Sequence, residues 1–348
     1  MAKRDGGVEL YRAFLMFGIC LLHSATMCGH PNVWMQGLLS PCVNGFVFIS
    51  GYYGIKFRPS KVFRLYGVGL FCAWAAVTLT RWHFGAECAG TGRYWFDVYR
   101  LFKQSFWFLH AYVVLMLLAP LVDGAMATFR ENGDCQRLVW ALLPPLMLVF
   151  VWAAWTSTPK LQLLAPRSPG VEAYSGLTLL GTYIVARCFR IFDIVPRIGT
   201  RWLIPAVIVL AVLSGPAGLY DYSTPVALAL AAAYFIFFAK FKGGGHLCKL
   251  SALSPSLFSV YLLHSQGFGF IWMKRCEQWL LAQGVPLFAA YFATALAIFF
   301  ACLLIDFPRR AVCRFMARFI DWVCGKLDDA YESLLEWIAS RMRGICHE

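Results

Sequence analysis

The chain has 348 residues, of which 60% are hydrophobic and 17% aromatic but only 14% charged, with a formal net charge of +13. An ordinary soluble domain runs nearer half apolar and a quarter charged, so this balance excludes a disordered protein, a coiled coil and a conventional soluble enzyme. The positive charge lies in short loops between apolar runs, which reads as membrane topology rather than a nucleic-acid surface.

Apolar runs of about 20 residues, each long enough for roughly 30 Å of hydrocarbon, recur along the chain. They predict an all-α, polytopic helical bundle of about ten spans. In chain order these are residues 8–28, 36–55, 63–82, 104–122, 137–156, 174–192, 202–219, 223–240, 253–272 and 285–306. The opening Met1-Ala2-Lys3-Arg4 resembles a signal peptide, but Glu9 and Arg12 interrupt the apolar stretch and no small-residue cleavage site follows, so it is read as a retained first span. With the N-terminus in the cytoplasm, the outside loops hold only Arg81, Arg93, Arg100, Lys103, Lys160, Arg167, Lys274 and Arg275. Most of the other basic residues fall inside, which favours cytoplasmic termini and a bacterial inner-membrane protein. Pro308-Arg309-Arg310 is expected to end the last span. The chain then divides into a membrane domain, 1–310, and a C-terminal segment, 311–348. In the latter Met316, Ile320, Val323, Leu327, Leu334 and Ile338 recur at helical spacing between charges. That is an amphipathic helix too polar to cross, lying on the inner surface or pairing with a second copy as a homodimer.

Ionisable residues inside spans are the first candidates for chemistry. Arg12 and His23 lie eleven residues apart. At 100° each this is about 1100°, roughly 20° past three turns, so both share one face of the first helix about 16 Å apart. A functional reading has Arg12 hold an anion and His23 move a proton; the bland one is a snorkelling Arg and a satisfied His. The second span carries Phe46-Val47-Phe48-Ile49-Ser50-Gly51-Tyr52-Tyr53, whose small residues permit close approach of a ligand or of another helix. Lys56, Arg58, Lys61 and Arg64 follow; they are topology determinants or phosphate ligands. The fourth span opens with Trp107, Phe108 and His110, and the ninth carries Tyr261 and His264 on one face. The 13 cysteines include no CxxC pair and predict no metal site.

In order and spacing these segments resemble acyltransferase family 3, the membrane acyltransferases that modify bacterial surface carbohydrates. The resemblance rests on Arg4, Glu9-Leu10-Tyr11-Arg12 and His23, then the Ser50-Gly51-Tyr52 segment, Lys61 and Arg64. It continues with Trp107-Phe108-Leu109 running to Pro120 and with Tyr261-Leu262-Leu263-His264, and spans residues 4 to about 310. It implies an acyl-CoA donor, most often acetyl-CoA, used as a co-substrate rather than bound permanently, and a carbohydrate hydroxyl as acceptor. By the same resemblance His23 and Arg12 are the catalytic pair, and Arg4, Lys61 and Arg64 bind the donor phosphates. Ser50, Tyr52, Trp107, His110, Tyr261 and His264 are the candidates for substrate contact. The rival class is a flippase or exporter of a glycan intermediate, with no bond made or broken.

Overall fold

The first apolar run forms α1 (Gly6–Met27), whose buried Tyr11, Leu15, Met16, Ile19 and Cys20 make it the central helix. In this computed structural model, residues 5–27, 32–85, 88, 90–131, 171–216, 224–241, 246–265 and 267–345 are described, and among them every regular element is helical. The second run is two helices, α2 (Val33–Leu39) and α3 (Cys42–Tyr53), because Ser40-Pro41 interrupts it. Then come α4 (Pro59–Phe84), α5 (Tyr94–Arg100), a π-helical turn over Leu101–Ser105, and α6 (Trp107–Glu131). Later in the chain lie α7 (Val171–Ile191), α8 (Ile194–Arg197), α9 (Leu203–Ser214) and α10 (Pro225–Lys240). The chain closes with α11 (Ser254–His264), α12 (Phe268–Ala282), α13 (Leu287–Phe315) and α14 (Ala317–Ile345).

The all-α class stands, but the expected ten spans do not. Among the described residues five helical segments are long and apolar enough to cross a membrane: Gly6–Thr26, Val33–Tyr53, Pro59–Phe84, Trp107–Thr128 and Leu287–Phe315. Four of the remaining runs fall short for separate reasons. The run at 174–192 is helical as α7 but carries Arg187 and Arg190 as well as the preceding Glu172. At 202–219 the helix has 12 residues before Gly215, and at 223–240 it has 16. At about 1.5 Å per residue, neither α9 nor α10 reaches across the hydrocarbon. The run at 253–272 breaks after His264, where Gly267 turns the chain with a φ of 44°. The expected span 137–156 lies outside the described residues. Pro308 does not end the last helix either; α13 continues through it to Phe315.

Packing around α1 explains the small residues. A Cβ on Gly45 of α3 would come within 2.6 Å of the Tyr11 hydroxyl, and one on Gly51 would sit 2.6 Å from the Tyr183 carbonyl oxygen of α7. Glycine thus lets α3 fit between α1 and α7. On another side Tyr11 and Phe14 pack into the rings of Tyr234, Phe235 and Phe238 on α10, and the Tyr11 hydroxyl donates to the Ala231 carbonyl at 3.1 Å. At the start of α10, Thr224 caps the helix by accepting from the Ala227 amide and Pro225 occupies the first turn.

α11 runs beside α1 in the same direction: Ser254 at its start meets Glu9, and His264 at its end meets His23. Its base is tied to α13 by the fully buried Asp306, which accepts from Ser256 at 2.6 Å and from Arg309 at 2.6 Å. α14 turns back onto the start of α4. There Asp328 accepts from the Ser60 amide and hydroxyl, Asp321 pairs with Arg64 at 2.8 Å, and Phe57 meets Tyr331 edge-on. Phe319, Trp322, Leu334 and Trp337 of α14 remain exposed.

Candidate active site

Glu9, Arg12, Met16, Ile19 and His23 follow the helical repeat along α1, which turns their side chains toward neighbouring helices. Glu9 is buried and accepts from Arg12 at 2.6 Å and from the Ser254 hydroxyl of α11. A buried carboxylate needs such partners. The one given by the chain's own Arg12 leaves that guanidinium partly exposed at the wall of a cavity.

That cavity has a volume of about 280 Å³ and lies between α1, α3, α6 and α11. Its polar wall groups are Arg12, Ser50, Tyr112, Ser254 and Tyr261, set among Met16, Ile19, Phe46 and Phe108. The Ser50 hydroxyl shares a 3.0 Å hydrogen bond with Tyr112 and donates to the Phe46 carbonyl. Arg12, Ile49, Ser50, Leu65 and Tyr112 also line a second space of about 440 Å³, which Tyr53, Gly54, Lys61 and Arg64 complete. The two spaces adjoin at these shared walls and are together called the chamber, apolar toward α11 and basic at the mouth, the usual composition of a pocket for a partly charged organic ligand.

The chamber ends at Ile19 and Tyr261, one turn short of His23. Tyr261 faces the chamber on one side and meets the His264 ring on the other, with centroids 6.2 Å apart in an edge contact. His23 Nδ1 lies 3.0 Å from His264 Nε2, and His264 Nδ1 lies 2.6 Å from the Val260 carbonyl oxygen. Phe270 of α12 meets His23 edge-on at 5.6 Å. Next along α1, the Ser24 hydroxyl donates to the buried Glu277 of α12 at 3.2 Å.

The site residues expected from sequence divide by position. Arg12, Ser50, Tyr261, Lys61 and Arg64 line the chamber or its mouth. His23 and His264 pair just beyond its end. Tyr52 turns away from it; its ring lies under the Arg190 guanidinium at 5.3 Å, and Tyr53 lines the mouth instead. His110 donates from Nε2 to the Phe102 carbonyl at 3.0 Å, a bond that fixes the π-helical turn to α6. Trp107 packs edge-on against Phe108, which is the member of that pair facing the chamber. Arg4 lies outside the described residues.

Other groups of the site carried no sequence signal of their own. Tyr112 and Ser254 are ordinary polar residues at this composition, and nothing in their spacing marks them. Glu277 fell in what reads as the loop after residue 272, and only the break at Gly267 makes it a buried helical residue. Among the described residues no group of three His, Cys, Asp or Glu is placed to hold a metal.

A family model described as an acyltransferase domain, that of acyltransferase family 3, matches residues 5–306. No curated protein and no solved structure matches the chain.

Proposed function

Because the chain belongs to acyltransferase family 3, we propose that it is a membrane-embedded O-acyltransferase. It moves an acyl group, first of all acetyl from acetyl-CoA, to a hydroxyl of a cell-surface or lipid-linked carbohydrate in the bacterial inner membrane. The observation that carries this reading is the chamber: basic at one end with Lys61 and Arg64, bordered midway by Arg12, and closing at Tyr261 against the His23–His264 pair.

The donor enters from the basic mouth, which lies on the cytoplasmic side. Arg64 and Lys61, with Arg4, hold the phosphates of CoA. The acyl-pantetheine arm extends through the apolar chamber past Arg12 and brings the thioester toward Tyr261. His23 takes the proton of the acceptor hydroxyl as its oxygen bonds to the thioester carbonyl carbon. The C–S bond then breaks, and the proton passes to the CoA sulfur. Arg12 supplies donors for the negative charge that builds on the carbonyl oxygen. Arg12 is kept in place for this by Glu9. α14 rests its exposed apolar side chains on the inner leaflet near the mouth.

Purified protein in vesicles with labelled acetyl-CoA and a lipid-linked glycan tests the assignment. Label is expected on the glycan. A change only in which leaflet holds the glycan, with no label transferred, would replace this reading with transport.

A further inference from the structure

The geometry points to His264 as the positioning residue that fixes which nitrogen of His23 takes the proton. The consequence for rate rests on the acyl-transfer reading; the arrangement of protons does not.

A backbone carbonyl can only accept a hydrogen bond. The Val260 carbonyl oxygen, one turn earlier on α11, lies 2.6 Å from His264 Nδ1, so that nitrogen carries a hydrogen and donates it. A neutral imidazole has one N–H, which leaves His264 Nε2 with a bare lone pair. His23 Nδ1 stands 3.0 Å from that lone pair. Two bare nitrogens at this distance would repel, so His23 Nδ1 carries the hydrogen and donates it. In neutral His23 the remaining nitrogen, Nε2, is then the bare one. The chain of donors runs from His23 to His264 to the backbone, and its free basic end is His23 Nε2.

Burial gives the same direction. His264 has no exposed surface, while His23 keeps some, so of the two rings His23 is the one open to a further partner. The rings are tilted by 38°, and Phe270 presses on His23 from α12. Rotation of the His23 ring would break the bond to His264 and meet that phenyl group. When His23 accepts the hydroxyl proton at Nε2, its Nδ1–H bond to His264 becomes charge-assisted and stronger. The partner therefore stabilises the protonated intermediate as well as the reactive tautomer, which is the work that a carboxylate does for histidine in a nucleophile–base–orienter arrangement.

The test uses the full chain in lipid nanodiscs with ¹⁵N-labelled histidine, and His23→Ala to assign the His23 signals. Nuclear magnetic resonance is expected to show His23 as the Nδ1–H tautomer in the otherwise unaltered protein. His264→Leu removes the acceptor and should release His23 toward Nε2–H. His264→Gln, whose side-chain oxygen can replace the lost lone pair, should restore Nδ1–H. In turnover, His264→Leu should lower kcat about tenfold or more with donor KM within about twofold, and His264→Gln should recover most of the loss. An Nε2–H His23 in the unaltered protein overturns the inference even if the Leu variant fails to fold. So does a His23 tautomer, or a kcat, that His264→Leu leaves unmoved. An Nδ1–H His23 in a protein that transfers no label would instead contradict the acyl-transfer reading and leave the positioning in place.

Discussion

Tyr261 stands where the chamber stops, with His264 behind its ring. On the proposed acyl-transfer reading its bulk limits how far an acyl chain can extend, so Tyr261→Ala should admit longer chains. Each added methylene in an apolar pocket is worth roughly 1–3 kcal/mol. Rates with acetyl-, butyryl- and hexanoyl-CoA should therefore converge in the variant by about tenfold or more, and an unchanged ratio would remove Tyr261 from chain-length selection. At this scale the sequence was informative where periodicity applies. Eleven residues of α-helix put Arg12 and His23 on one face of α1, and on that face Glu9 and His23 both meet α11. The partners themselves were not legible. That His23 would meet His264, 241 positions later, follows from the packing of two parallel helices and not from the local pattern of either. Tyr52 and Tyr53 were indistinguishable as neighbours in sequence. The rotation of about 100° between adjacent helical residues separates their directions, and only Tyr53 lines the mouth.

Among elements, α3 depends on its glycines and α14 on its carboxylates. Gly51→Val would drive its side chain into the Tyr183 backbone, where little can yield. A cost of about 1–3 kcal/mol is expected, read as a lower thermal midpoint in detergent; a midpoint equal to that of the unaltered chain would show that α3 and α7 can move apart. Asp328 is a different case. Partial burial raises its carboxyl, but the Ser60 amide and hydroxyl and the nearby Arg58 and Arg64 outweigh that and hold it below the ordinary aspartate range. A carboxyl lowered on docking stabilises the docked helix above its free-chain value, near 3.9. That contribution fades as pH falls from there through the lower, docked value. Hydrogen-exchange protection of α14, taken relative to the intrinsic rate at each pH, should thus be high and level near neutrality and fall under acid. Asp328→Asn should lower it already at neutral pH; equal protection in the variant would show that α14 is held by other contacts. The exposed Arg64–Asp321 pair adds at most a fraction of this, since such pairs are worth little in water. Helical character was legible in both elements because periodicity and composition carry it. The break after His264 was not, since His264-Ser265-Gln266-Gly267 is a short polar interruption between two apolar stretches, and the turn at Gly267 makes it a boundary.

For the whole molecule, hydropathy overcounted the spans because it scores composition without length or direction. α9 and α10 are apolar but short, and α7 keeps its arginines at the end where Arg187 pairs with Asp123 at 2.8 Å. What the chain does preserve over its length is a single central helix that carries Glu9 and Arg12 near one end and His23 near the other, surrounded by α3, α10, α11 and α13. That arrangement sets a basic mouth at one end and a histidine pair at the other, which is what the proposed donor, with a charged head and a reactive tail, would use. Mass spectrometry of surface carbohydrate from cells carrying the unaltered chain or His23→Ala, at matched amounts in the membrane, reaches this directly. Loss of at least about 100-fold of the acylated glycan is the expected result for removal of a general base. Undiminished acylation in the variant would contradict it.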